Sequence, residues 1–179
     1  MARHQLTRTA AVVLCALGLA CAKEHLALTV PLIDELPRAR ITAPRSVLVR
    51  ESNLTVNGET RRCLFMHPVS SAEFNLVVPA RAKLVFGVGV AQDVWDKGGD
   101  GVEFRVSITE GADETMLFTR YVNPKAHDSD RLWHEEEVDL SLYEGQRISL
   151  VFSTDSGPAD DPRWDSAGWS NPMIKGMTW

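Results

Sequence analysis

Cysteine is scarce in this 179-residue chain, and the three that occur cannot form a disulfide framework. Cys15 and Cys21 lie in an apolar leader, which leaves Cys63 as the single thiol of the remaining sequence. One thiol has nothing to pair with inside the domain. Cys63 lies in the apolar run RRCLFMHP with no base beside it in the sequence, so we expect a buried small side chain rather than a nucleophile.

Basic charge is also in deficit. The chain carries 19 lysines and arginines against 24 aspartates and glutamates, a formal net charge of −5. This composition lacks the basic footprint of a nucleic-acid-binding protein and the basic helix of a membrane-surface protein. We therefore expect no nucleic-acid partner.

Enzyme motifs are missing too. The sequence has no G-x-S-x-G elbow, no glycine-rich phosphate loop and no H-E-x-x-H, and its histidines are scattered singly. Some sandwich glycosidases place their carboxylates as E-x-D-x-x-E on one strand. Here Glu137 and Asp139 fill the first two places, but the third falls on Leu142. We predict a protein that is not an enzyme.

A hydrophobic run long enough to span a bilayer is absent as well. The longest apolar stretch, residues 9–20, follows Arg3 and Arg8 and has the length of a signal-peptide core. Residues 1–20 are thus predicted to be a signal peptide of the lipoprotein type. This implies export to a bacterial cell envelope, in the periplasm or at the cell surface.

Cys21 is the expected lipidation site. The sequence GLAC that ends the leader resembles a bacterial lipobox, although Gly18 stands where leucine is usual. The alternative is ordinary cleavage after Ala20 or Ala22. A lipid on Cys21 would attach the protein to a membrane.

Short apolar runs that alternate with polar residues dominate the rest of the chain. Residues 21–45 carry three prolines and indicate a tether or a lead-in strand. Residues 46–179 indicate a single antiparallel β-sandwich, a jelly roll of about eight strands, because runs bounded by turn residues recur every dozen or so positions. These runs are 46–51, 61–68, 72–80, 82–91, 101–110, 115–123, 131–140 and 147–155.

The clearest alternation lies in residues 101–110, where Val102, Phe104, Val106 and Ile108 share one face of the predicted strand. The run 82–91 has glycine at two positions of its opposite face. Such bare positions indicate either a large side chain packed over the strand or the close approach of a ligand.

Three aspartates on a glycine-rich loop are candidate metal ligands. Asp93, Asp96 and Asp100 lie within eight residues, and clustered carboxylates on a flexible loop are what Ca²⁺ requires. Their spacing is not that of an EF-hand, and aspartate and glycine also gather in turns for backbone reasons. A structural calcium ion is therefore one of two alternatives.

Tryptophans near the predicted strand ends are the candidate ligand-binding residues. Trp95, Trp133 and Trp164 lie among aspartate, asparagine and arginine residues, the setting in which an indole face stacks on a sugar ring while polar neighbours bond its hydroxyls. The alternative is that each indole caps the core and donates its N–H to a carbonyl.

The loop WDKGGDGVEF, the phrase VDLSLYEGQRISLVF and the ending GWSNPMI together resemble the galactose-binding-like jelly-roll domains of exported bacterial proteins. The resemblance covers residues 46–179. It implies an eight-stranded jelly roll, a carbohydrate-binding role and, in many members, a structural Ca²⁺. It also places Trp169 of GWSNPMI inside the fold and leaves Trp164 free.

The resemblance favours a non-catalytic envelope lipoprotein that binds a polysaccharide or glycan. One alternative is a protein-interaction or structural lipoprotein with an envelope protein as partner, and a less favoured one is a glycosidase or esterase. Such domains usually accompany a catalytic or membrane module. We expect either a free-standing lipoprotein or a piece of a longer ancestor.

Overall fold

Strands make up most of the protein. The structure, a computed structural model, describes residues 26–178, so the predicted signal peptide and Cys21 lie outside the described residues. The strands, in chain order, are β1 (Ala27–Pro31), β2 (Arg40–Thr42), β3 (Val49–Val56), β4 (Glu59–Met66), β5 (Ser70–Val77), β6 (Ala80–Val90), β7 (Val102–Glu110), β8 (Asp113–Val122), β9 (His134–Asp139), β10 (Arg147–Ser156) and β11 (Ala167–Met177).

Helical structure is confined to short pieces. Within residues 26–178 the one α-helix is α1 (Leu32–Glu35), and none of the helices in this range is long and apolar enough to cross a membrane. Single 3₁₀ turns occur at Leu36–Arg38, Ser46–Leu48, Gln92–Val94, Asp128–Asp130 and Ser141–Tyr143.

The strands form two antiparallel sheets. The six-stranded sheet has the order β3-β4-β11-β6-β9, with β1 also paired to β11, and the five-stranded sheet has the order β2-β5-β10-β7-β8. The predicted all-β sandwich is therefore confirmed. The eight predicted runs correspond to β3 through β10, and β1 and β2 lie in the segment predicted to be a tether or a lead-in strand.

The core lies between the inner faces of the sheets. Val102, Phe104, Val106 and Ile108 of β7 are all buried, as their alternation predicts. Trp169 of β11 is fully buried too, so its predicted place inside the fold is confirmed. Its ring is surrounded edge-to-face by Phe86, Phe104 and Phe152, with centroid distances of 5.3, 5.1 and 4.9 Å.

Residues 26–45 belong to both sheets. β1 pairs with β11 from Ala27↔Met177 to Pro31↔Met173, and β2 pairs with β5. Leu32 and Ile33 of α1 are buried in the core. Of the two alternatives for this segment, the described part therefore forms lead-in strands rather than a tether.

A second, smaller cluster of buried side chains covers part of the outer face of the six-stranded sheet. It comprises Leu54, Val56, Cys63, Phe65, Ala91 and Trp133. The β3–β4 hairpin folds onto this face, where a β-carbon at Gly89 would lie 3.2 Å from Val56 Cγ2 and 2.9 Å from Trp133 Cε3. The bare glycine position predicted in β6 is thus explained by packing.

Candidate functional site

Three loops that carry the candidate tryptophans meet at one end of the sandwich. They are the β6–β7 loop (residues 91–101), the β8–β9 loop (123–133) and the β10–β11 loop (157–166). Antiparallel pairing brings their ends together, because Val90 pairs with Ala167 and Val102 pairs with both Val122 and Ser156. We call this end of the molecule the loop end.

Trp133 is a core residue, and the prediction that it stacks on a ligand is not supported. Only 6% of its surface is exposed, since the indole lies on Gly89 inside the second cluster. Its Nε1–H donates to the Glu59 carbonyl at 3.2 Å, and the Arg61 guanidinium lies 5.3 Å from its ring centroid. The indole faces that a sugar needs are covered.

Trp95 is half-buried against the same cluster. Its Nε1–H donates to the Val90 carbonyl at 2.9 Å, and the guanidinium of Arg131 lies 5.5 Å from its ring centroid. An indole whose N–H and one face are both engaged within the protein serves chiefly as a cap on the cluster. Ligand stacking on Trp95 stays a prediction.

Trp164 differs from the other two. It is 55% exposed and adopts a left-handed backbone conformation, with φ of +60°. A left-handed conformation is uncommon for a large residue, and outliers of this kind gather at functional sites. Of the three predicted stacking residues, Trp164 is the one whose ring is open to solvent.

A buried ion pair lies directly beside Trp164. The Lys125 ammonium donates to Asp165 Oδ1 at 2.7 Å, and the two side chains are 8% and 0% exposed. Burial raises the pKa of the Asp165 carboxyl above its usual range, and the hydrogen bond from Lys125 partly offsets this. Lys125 carried no signal in the sequence, since lysine is common in surface loops.

The three predicted metal ligands are not brought together. Asp93 and Asp96 are exposed, and Asp96 pairs with Lys97, whereas Asp100 accepts a hydrogen bond from the Ala159 backbone N–H. Within residues 26–178 no three histidine, cysteine, aspartate or glutamate side chains are grouped in a way that could hold a metal ion. Calcium at this loop stays a prediction.

A shallow cavity of about 400 Å³ opens beside this end of the molecule, between β3, β4 and the loops that follow β6 and β10. Phe65 lies in its lining, and the Arg50 guanidinium is 4.1 Å from the Phe65 ring centroid. The polar side chains that line the cavity are Arg50, Ser52, Asn53, Thr55, Gln92, Asp93 and Ser166.

This lining mixes donors and acceptors. Arg50 supplies N–H donors, Asp93 supplies acceptors, and the amides of Asn53 and Gln92 supply both. Ser166 of the lining belongs to the β10–β11 loop and lies two residues after Trp164 in the sequence. The sequence predicts Trp164 as a ligand-binding residue and Asp93 only as a metal ligand. The contributions of β3 and β4 carry no signal in the sequence, because these strands reach the site only through the fold of their hairpin.

Cys63 is as the sequence predicts. The thiol is fully buried in the second cluster, and its burial raises the Cys63 pKa to about 12. A thiol with a raised pKa in an apolar cluster is a packing residue and lacks nucleophilic character at neutral pH.

No family model matches the sequence. An uncharacterized protein of Archaeoglobus fulgidus is 39% identical over 129 residues, which are 68% of this chain and 32% of that protein. The chain thus spans about a third of the length of this curated relative.

Solved carbohydrate-binding modules share the fold. The CBM51 module of Clostridium perfringens GH95, solved in complex with methyl-galactose, is similar with a TM-score of 0.57 at 18% identity, covering 82% of this chain and 99% of that one. The CBM51-2 module of Clostridium perfringens ZmpB, solved in complex with GlcNAc, gives a TM-score of 0.52 at 17% identity, with coverages of 84% and 32%.

A third structure, the tandem CBM51 modules of a family 98 glycoside hydrolase from Streptococcus pneumoniae, gives a TM-score of 0.54 at 10% identity and covers 83% of this chain and 47% of that one. The described part of the protein therefore has the β-sandwich fold that these carbohydrate-binding modules have. At these identities the likeness is one of fold.

Proposed function

We propose that the protein is a non-catalytic carbohydrate-binding domain and that it binds a neutral pyranoside at the loop end. The single observation that carries this proposal is a cavity with a polar lining whose Ser166 belongs to the same loop as the exposed Trp164. A pyranose has an apolar face for the ring and hydroxyl groups for the polar side chains.

The fold supports the choice of ligand class. The structural neighbours are carbohydrate-binding modules, and two of them were solved with methyl-galactose and GlcNAc. Because fold alone does not define function, the proposal rests on the site and uses the neighbours to choose the first ligands to test.

The cavity supports recognition of hydroxyl groups. Its volume of about 400 Å³ lies in the range of small-molecule sites. Sugar hydroxyls both donate and accept, so they are matched by the guanidinium of Arg50, the carboxylate of Asp93 and the amides of Asn53 and Gln92. Phe65 supplies apolar surface beside them.

The test is binding of methyl-galactoside and N-acetylglucosamine by calorimetry, followed by a glycan array. Trp164→Ala should remove most of the binding and leave the melting temperature nearly unchanged. Leu142→Ala is the matched control, since Leu142 is an exposed apolar residue in the turn between β9 and β10. An array with no bound glycan, together with co-purification of an envelope protein, would favour the protein-interaction alternative.

We also propose that the domain is exported and attached to a membrane of the cell envelope through a lipid on Cys21. The support is the sequence of the leader, whose apolar stretch ends at the small residues before Cys21. Intact-mass measurement of the exported protein checks this, because a lipidated cysteine adds several hundred daltons. A mass equal to that of the unmodified chain cleaved after Ala20 or Ala22 contradicts it.

A further inference from the structure

One ammonium group holds both neighbours of Trp164. Lys125 Nζ donates to the Asp165 carboxylate at 2.7 Å and to the Arg163 carbonyl at 3.4 Å. It also donates to the Gly98 carbonyl at 2.5 Å. Lys125 therefore joins all three loops of the loop end at one point, on either side of the exposed indole.

This junction is buried, unlike the ion pairs on the surface of the two loops that it joins. Asp161 and Arg163 pair on the surface of the same loop, and so do Asp96 and Lys97 in the β6–β7 loop. Exposed pairs of this kind stabilise little. A buried lysine with three acceptors instead favours one arrangement over others, since any displacement leaves a buried carboxylate without its counter-charge.

The backbone at Gly99 leaves space for the Lys125 ammonium. Gly99 has a φ of +96°, and a β-carbon at this position would collide with the Arg163 carbonyl and Lys125 Nζ. Only glycine combines this conformation with so close an approach. Any side chain at residue 99 would therefore displace the Lys125 ammonium from the β6–β7 loop.

Asp165 depends on Lys125 in particular. Its Oδ1 accepts from Lys125, while its Oδ2 is buried and has no hydrogen-bond partner among residues 26–178. Buried carboxylates are tolerated when they are paired, and here the pairing comes from one residue. Loss of Lys125 would therefore free Asp165, and with it the backbone on the C-terminal side of Trp164.

Trp164 lies between these two fixed points in a conformation that is unfavourable for a residue with a side chain, with φ of +60°. A strained conformation persists when its surroundings over-determine it. Here the hydrogen bonds from Lys125 to Arg163 and Asp165 restrain the backbone on both sides of Trp164. The backbone that carries the indole is consequently held in place before a ligand arrives, which lowers the entropy lost on binding.

We propose that Lys125 is a positioning residue for Trp164: it fixes the backbone that presents the indole to the pyranoside, without touching the ligand. The inference rests on the proposed function for its affinity readout. Its structural readout does not depend on any ligand.

The experiment compares Lys125→Met with Lys97→Met, an exposed lysine of the same end of the molecule. The full chain is labelled with 5-fluorotryptophan, and Trp164→Phe identifies the Trp164 resonance among the five tryptophans. In Lys125→Met the Trp164 ¹⁹F signal should shift and change in width, and in Lys97→Met it should stay in place. An unmoved signal in Lys125→Met overturns the inference.

The affinity arm uses methyl-galactoside and N-acetylglucosamine as probes. Lys125→Met should weaken binding by about three- to tenfold, the effect of immobilising one or two side chains only on binding. In a Trp164→Ala background, Lys125→Met should not weaken saccharide binding further, because Lys125 acts on binding through the Trp164 indole. Additive losses overturn the inference.

A failure of the proposed function looks different. If Trp164→Ala leaves saccharide binding unchanged, the proposed site is wrong, and the fluorine arm alone decides whether Lys125 positions the indole. Because Lys125→Met leaves a buried carboxylate unpaired, the double variant Lys125→Met, Asp165→Asn is measured as well. The double variant lacks both charges, so its melting temperature should return most of the way to that of the native chain. Its Trp164 fluorine signal should stay displaced, and a signal at the native position contradicts the inference.

Discussion

The indole of Trp133 lies directly on Gly89, so that a β-carbon at residue 89 would come within 2.9 Å of Trp133 Cε3. This contact unites the β8–β9 loop with the outer face of the six-stranded sheet. It also explains why an aromatic residue near a strand end is buried rather than presented to a ligand.

Gly89→Ala should lower the free energy of unfolding by about 1–3 kcal/mol, because the added methyl group overpacks the contact with Trp133. Urea denaturation followed by circular dichroism measures the change. Gly98→Ala is the control, since a β-carbon at Gly98 meets nothing within 4 Å. Equal stability of the two variants would show that the indole moves away at little cost.

Trp169→Ala should be far more damaging than any change at Trp164. Trp169 is fully buried among three phenylalanine rings, so its removal should cost about 3–5 kcal/mol, a large part of the stability of a typical domain. Thermal denaturation of the two alanine variants compares them in one experiment. A melting temperature lowered more by Trp164→Ala than by Trp169→Ala contradicts the assignment.

Cys63 should resist alkylation in the folded protein. Its pKa is raised to about 12, so the reactive thiolate is absent at pH 8 and the thiol is fully covered. Peptide mapping after iodoacetamide treatment should find Cys63 unmodified until guanidinium is added. Rapid labelling without denaturant would mean that the second cluster opens readily.

The same thiol makes the fold less stable in alkali. In the unfolded chain the thiol ionises near its ordinary pKa of about 8.5, whereas in the fold it stays protonated to about pH 12. The unfolded state therefore loses its proton first, and stability should fall as the pH rises through this window. Cys63→Ala should show a weaker alkaline loss than the native chain.

His134 should contribute to a loss of stability in mild acid. Burial lowers its pKa below the ordinary 6.5, and the nearby Arg120 lowers it further. A depressed pKa means that the unfolded state takes up the proton first, so this contribution is complete above pH 6.5 and is lost as the pH falls through the folded-state pKa. Denaturation curves at pH 7.5 and 5.5 measure it.

His134→Gln should be less sensitive to this change in pH than the native chain. The exposed His127 gives the matched control, and His127→Gln should retain the native sensitivity. If His127→Gln loses the pH sensitivity and His134→Gln keeps it, the prediction for His134 is wrong.

Local sequence patterns predicted the middle of the fold well. The alternation of Val102 and Phe104 with polar residues placed β7 and its inward face, because side chains of a strand alternate between a core and a solvent face. The pattern did not decide between a tether and a lead-in strand for the segment that holds β1 and β2. Both are short strands close to prolines and pair with strands distant in the sequence, so no local period marks them.

The candidate site was predictable only in part. The sequence predicted Trp164 as a stacking residue and Asp93 only as a metal ligand. It also predicted stacking by Trp133, whose burial depends on a hairpin more than 70 residues away. Arg50 and Phe65 entered the site because the β3–β4 hairpin lies beside the loop after β6. No local sequence property of β3 or β4 predicts that their hairpin lies beside this loop.

The sequence by itself determined the class of fold and the inward faces of the central strands, because these follow from the period of apolar residues along single strands. The internal position of Trp169 was implied by the resemblance of GWSNPMI to galactose-binding-like domains. Only the tertiary structure decided which tryptophan is open to solvent. That outcome depends on contacts between distant segments: Gly89 makes room for Trp133, while Lys125 secures the residues on both sides of Trp164 and leaves its ring exposed.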